Sequence, residues 1–203
     1  MAKYFIIVLL GYLLGSSSMS YSISKLKKVE IREKGSKNLG ASNTMMVLGW
    51  KYGVLVGIHD IGKSILAVLL ARFLFPDLEL AGFLACVASV LGHIFPFYLR
   101  FKGGKGFASY FGMTLALNWK LALIIGLAVI VVTLITDYIV VGTTLTITAV
   151  PIFYGFATKG FLIPLILLIG TFVIAYKHRM NYVRIYNGTE IGLRSANRGD
   201  HRA

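Results

Sequence analysis

The chain has 203 residues, of which 57% are hydrophobic and 14% charged, with a formal net charge of +13. A soluble domain of this length would carry roughly twice that charged fraction. The apolar runs are continuous rather than alternating, and each approaches the ~20 residues a helix needs to cross a bilayer, which excludes a membrane β-barrel pattern.

The expected fold is therefore an all-α polytopic membrane protein: a bundle of about seven transmembrane helices forming one integral membrane domain over residues 1–203. The excess of Lys and Arg does not point to nucleic acid. These residues gather at the ends of apolar runs, where anionic lipid or a phosphorylated substrate can meet them. Cys86 lies alone in an apolar run, so neither a disulfide framework nor a metal-ligand pattern is available, and packing is its expected role.

Tyr4 to Ile23 reads as the first span. Lys3, the apolar run and Gly15-Ser16-Ser17-Ser18 imitate a signal peptide, yet a single basic residue precedes the run and further spans follow, so it is read as a retained helix. A polar segment, about 24–44, carries Lys25, Lys27, Lys28, Arg32, Lys34 and Lys37. Met45 to Phe75 is long enough for a tilted second span, with Pro76-Asp77 as its stop. Within it Gly49, Gly53 and Gly57 recur every four residues, a spacing that predicts close helix packing. Leu80 to Tyr98 is the third span and leads into a basic loop, about 99–106. Phe107 to Leu117 is short for a crossing. Leu121–Ile135, Ile139–Phe156 and Phe161–Tyr176 complete the spans before a polar, basic tail of about 177–203.

Lys and Arg counts give an orientation. The loop after span one holds six, the 99–106 loop three and the tail six, against Lys3, Lys120 and Lys159 on the other side. The positive-inside rule then places the N-terminus outside and the tail in the cytoplasm, which seven crossings satisfy.

Three polar clusters fall on that cytoplasmic side. Between two apolar spans, Arg100, Lys102 and Lys105 alternate with Gly103, Gly104 and Gly106. Glycine lets backbone N–H groups approach a ligand closely, and a helix starting near Phe107 would aim its first N–H groups and positive dipole end into the loop. With Lys105 as a point charge, the combination suits a phosphate-like anion, although an ordinary basic membrane loop reads much the same. The spacing is not that of a Walker A loop. The second cluster, Gly35 to Asn43, offers Ser36, Lys37, Asn38 and Asn43 as donors to an anion, or serves as a plain interfacial loop. The third holds His178 and Asn181, three apart and so on one helix face. Asp60 and Lys63 can pair in span two, where His59 and Arg72 also lie, either as a structural ion pair that fixes helix packing or in a functional role, and His93 precedes the basic loop. No Ser/His/Asp order, zinc spacing or carboxylate pair for acid–base work is present, and Asn187-Gly188-Thr189, a glycosylation sequon, falls on the cytoplasmic side.

Together these stretches resemble the bacterial PlsY family, the membrane acyl-phosphate:glycerol-3-phosphate acyltransferases. GSKNLGASN resembles its first motif, GHIFPFYLRFKGGKG its second, and HRMN with the later Gly188-Thr189-Glu190 its third. The resemblance implies acyl transfer from acyl phosphate to glycerol 3-phosphate, giving lysophosphatidate, in the plasma membrane of a bacterium with the motifs facing the cytoplasm. Its partners would be those two substrates and membrane lipid, with no nucleic acid, no metal and no cofactor; oligomeric state is left open. By the same resemblance Lys105 stabilises the departing phosphate, with Ser36 and the Gly103-Gly104 backbone as donors, and His178 and Asn181 hold the acceptor. Asn38, Asn43, Lys37, His93, Asp60 and Lys63 join as substrate-binding residues. Four positions depart from the pattern the resemblance implies: Lys37 stands for a usual Gly, Met46 for an Arg, Val140 for a Ser and, more mildly, Ser42 for a Thr, with Thr143 or Thr144 available to restore a hydroxyl. The departures leave room for a non-catalytic lipid-phosphate or partner binder, and the charges of span two for an anion transporter.

Overall fold

The computed structural model describes residues 1–194, and no β-strand occurs among them. The helices are α1 (Ala2–Ser16), α2 (Met19–Leu26), α3 (Ala41–Leu48), α4 (Trp50–Leu74), α5 (Ala81–Ile94), α6 (Phe107–Leu117), α7 (Trp119–Thr136), α8 (Ile139–Ala157) and α9 (Leu162–Tyr186). Six segments among the described residues are long and apolar enough to cross a membrane: α1 with α2, α4, α5 with the turn after it, α7, α8 and α9. The 11-residue α6 is apolar but shorter, as the sequence indicates. Arg198 and Arg202 of the expected tail lie outside the described residues.

The helices group into two compact units, one reaching Asn118 and the other starting at Trp119. In the first, α1 lies against α5 along a seam of small residues. A Cβ on Gly11 or Gly15 would strike the backbone of Ala85 or Ser89, and one on Gly92 would strike the Tyr12 carbonyl and the Ser16 nitrogen. Close approach of this kind is how helices associate where water supplies no hydrophobic drive. Ile7, Ala71, Ala81 and Ala85 form a packed cluster at one end of this unit. In the second unit, Gly142 lets α8 approach Val129 and Thr133 of α7, and the Thr171 hydroxyl of α9 donates to the Ile147 carbonyl of α8 at 2.7 Å.

Several expected boundaries move. Tyr4–Ile23 is two helices, with the break at Ser17-Ser18 between α1 and α2. Met45–Phe75 is not one helix: Gly49, at φ 96° and ψ 164°, separates α3 from α4, in a backbone region essentially open only to glycine. Gly49 is thus a hinge rather than a packing position, Gly57 makes only ordinary contact with Ala41, and Gly53 alone of the three lies hard against Met45 and Ala41. The last helix does not stop at Tyr176 but continues to Tyr186, so His178 and Asn181 sit on α9 rather than in a tail.

Candidate active site

The loop after α5 is built by its own backbone. Pro96 disfavours helical geometry at Phe95, and α5 ends there. The chain then folds back over the helix end: Gly103 N–H donates to Ile94 O at 3.0 Å and Gly104 N–H to His93 O at 3.1 Å, satisfying carbonyls that a helix C-terminus leaves without partners. Arg100 and Phe101 make the turn in the left-handed region, at φ 54° and 58°. Gly106 at φ 96° precedes α6, which starts at Phe107 as the sequence predicts. Lys105 is half-buried beside them.

The Gly35–Asn43 segment is stapled by one buried amide. Asn43 Oδ1 accepts from the Ser36 N–H at 2.7 Å, and its Nδ2 donates to the carbonyls of Ile31 (2.9 Å) and Asn38 (3.0 Å). Asn43 therefore shapes the loop with its own donors and acceptor, while Ser36 and Asn38 are half-buried and Lys37 is exposed. Just upstream, Glu30 accepts hydrogen bonds from the side chain and backbone of Arg32, which hold its carboxyl below the usual range. Ile31, Leu39 and Leu99 form a small apolar core beneath both loops, and the Leu39 carbonyl lies against Gly104. The first two clusters of the sequence thus meet in space.

Behind them, Asp60 and Lys63 pair at 2.9 Å, as their spacing predicts. His93 Nδ1 stands 2.9 Å from Lys63 Nζ and 3.4 Å from Asp60 Oδ1, and His59 Nδ1 approaches the same carboxylate oxygen at 3.4 Å. Arg72 does not join them. Nine residues further along α4, about 14 Å by helical rise, its guanidinium donates to Ala116 O at 3.2 Å, at the C-terminal end of α6. Arg72 thus holds the end of α6 instead of joining the Asp60, Lys63 and His93 group.

In the second unit, His178 Nδ1 donates to Ile174 O at 2.9 Å, so in the neutral ring Nε2 carries the lone pair. Asn181 Nδ2 donates to Glu190 Oε1 at 2.6 Å, and the other oxygen of Glu190 accepts from Arg184 Nε at 2.6 Å. Both His178 and Asn181 are buried, on one face of α9 as expected. Sequence reasoning missed Glu190 as the partner that orients Asn181; its place in the third motif was the available signal. It also missed Tyr182. The Thr144 hydroxyl bonds Tyr182 and donates to Val140 O at 3.1 Å, one turn along α8 from that residue, whereas Thr143 is buried and donates to Ile139 O.

The fold and the adjoining loops define an integral membrane protein whose donor-rich, cationic site suits phosphorylated ligands. The model of the family "Glycerol-3-phosphate acyltransferase" matches residues 5–188, and the chain belongs to that family. Glycerol-3-phosphate acyltransferase 1 of Oceanobacillus iheyensis is 36% identical over 95% of this chain and 96% of its own length. The enzyme of Clostridioides difficile is 38% identical over 93% and 94%. Among solved structures, PlsY (YgiH), an integral membrane glycerol 3-phosphate acyltransferase in its glycerol 3-phosphate form, superposes with a TM-score of 0.88 at 32% identity, covering 96% of this chain and 97% of that one.

Proposed function

We propose that this chain transfers an acyl group from an acyl phosphate to a hydroxyl of glycerol 3-phosphate at the cytoplasmic face of a bacterial plasma membrane. The acyl carbon's bond to the phosphate oxygen breaks, the glycerol oxygen forms the new ester, and the hydroxyl proton leaves with inorganic phosphate. The donor is already activated, so no covalent enzyme intermediate is needed, and catalysis rests on positioning and on charge neutralisation. Lys105 neutralises the departing phosphate; the Gly103-Gly104 backbone, Ser36 and Asn38 add donors, and Lys37 adds charge. In the second unit, His178 and Asn181 hold glycerol 3-phosphate, Asn181 fixed by Glu190. The observation that carries this reading is the contact of Leu39 with Gly104, which joins two loops suited to phosphate beside the start of α6.

The test is phosphate release by purified protein in lipid, given acyl phosphate and glycerol 3-phosphate. Parent protein is expected to turn over and Lys105→Ala to lose nearly all transfer. Activity retained within about threefold, ~0.6 kcal/mol of transition-state stabilisation, would remove Lys105 from the mechanism. No turnover by the parent would leave a non-catalytic binder of lipid phosphates.

A further inference from the structure

Asp60, Lys63 and His93 are 3%, 6% and 7% exposed, and the Lys63 donors are taken up by groups of this chain rather than left for a ligand. Their bonds are directed elsewhere. An ammonium has three N–H donors and no acceptor, and Lys63 Nζ has three acceptors: Ser17 O at 2.7 Å, Asp60 Oδ1 at 2.9 Å and His93 Nδ1 at 2.9 Å. The Ser17 carbonyl is available because the chain breaks between α1 and α2, where the Tyr21 N–H turns to the Ser18 hydroxyl. Since Lys63 can only donate, His93 Nδ1 accepts, and the ring proton sits on Nε2. That far edge of the imidazole abuts Gly104: a Cβ there would strike Nε2 and Cε1 of His93. The His93 carbonyl also holds the Gly104 N–H at 3.1 Å. Contacts therefore run from Asp60 through Lys63 and His93 to Gly104, and the next residue is Lys105.

We propose that Asp60 and Lys63 are positioning residues that act through His93, fixing its tautomer and orientation and thereby the Gly103–Gly106 backbone and the aim of Lys105. Packing alone would not call for them, because apolar side chains of similar volume fill a buried site at least as stably as an ion pair. Charge at membrane depth calls for a functional reason. Displacement of a catalytic group by about 1 Å is enough to cost about a hundredfold in rate. The kinetic part of this inference rests on the acyl-transfer reading, and the structural part does not.

The experiment uses full-length protein in lipid, with Asp60→Asn and the double variant Asp60→Asn/Lys63→Met, each with and without Lys105→Ala. Amide hydrogen exchange over residues 97–107 is expected to rise at least about tenfold while α1 and α5 exchange as in the parent. The value of kcat is expected to fall about ten- to a hundredfold with KM changed less than about threefold. In the Lys105→Ala background the same change is expected to cost less than about twofold, because residues acting through one another do not add. Unchanged exchange in 97–107, or an equal rate loss in both backgrounds, overturns the proposal. Asp60→Asn leaves the Lys63 ammonium without its counter-charge, so if it does not fold, the double variant is read by the same criteria. Exchange raised equally in α1 and α5 in both variants would mean that the network holds the fold rather than the loop, and also overturns the proposal. If the parent transfers no acyl group, the functional reading fails and exchange alone decides: a local rise supports the positioning role, and none overturns it.

Discussion

Lys37 sits at φ 56°, in the left-handed region where a side chain costs about 1–2 kcal/mol relative to glycine. A glycine would take this conformation without that cost, so Lys37 stands here against strain. Replacing Lys37 with Gly would remove a cation and relieve that strain together, which confounds any test of the charge. Asn tolerates the left-handed region and is neutral. If Lys37 supplies the charge that Met46 lacks, Lys37→Asn is expected to raise KM for a phosphate substrate about tenfold, the size of a lost charge-assisted contact. Lys37→Asn with Met46→Arg is expected to restore it, since Arg can grip phosphate bidentately. Additive effects, or an unchanged KM in the single variant, would mark Lys37 as a solvated loop charge. Lys37→Gly is separately expected to raise Tm by about 2–4 °C per kcal/mol of strain released.

What was legible at this scale depended on sequence distance. The Asp60–Lys63 pair and the shared face of His178 and Asn181 follow from a three-residue spacing, and the start of α6 from a glycine before an apolar run. Lys63's other acceptors lie on Ser17 and His93, 46 and 30 residues away. No local period announces such partners. By residue type Asn43 fits an anion donor; only burial and three loop hydrogen bonds give its amide away as a staple.

Among elements, the α1–α5 seam and the exposed flank of α4 give opposite expectations for the same substitution. A Cβ on Gly15 would meet the Ser89 carbonyl and Cα, both rigid backbone. Gly15→Ala should therefore force the helices apart and cost about 1–3 kcal/mol. Gly62 is exposed on α4 and has nothing within 4 Å of an added Cβ. There Ala restricts the unfolded chain at no steric expense and should gain about 0.4–1 kcal/mol. Thermal unfolding in detergent distinguishes the two; equal shifts would mean that glycine acts only through backbone entropy at both sites. Sequence spacing could not separate these roles, because a glycine every four residues looks the same whether it packs, hinges or faces lipid.

At the scale of the whole chain, sidedness turns on α6. Its 11 residues rise about 16 Å, roughly half of a ~30 Å hydrocarbon core. If the chain nevertheless changes sides between Arg100 and Lys120, seven crossings put Lys159 outside and α9's basic end, with Lys177, Arg179 and Arg184, in the cytoplasm. If it does not, six crossings reverse everything after α6, leaving Lys159 inside and those cations outside, against the positive-inside rule. Trp119 and Lys120, which open α7 one residue after α6, have the composition of a membrane-interface anchor, which favours a crossing. Two introduced cysteines decide it, since the native Cys86 is fully buried and should stay silent. Lys34 and Lys159 are both exposed. Lys159→Cys is expected to react with an impermeant maleimide on intact cells, and Lys34→Cys only after lysis. Silence at both positions until lysis would mean that α6 does not cross and that α7 through α9 run the other way. Labelling of Lys34→Cys from outside would turn the Lys105 loop away from cytosolic substrates and overturn the proposed orientation.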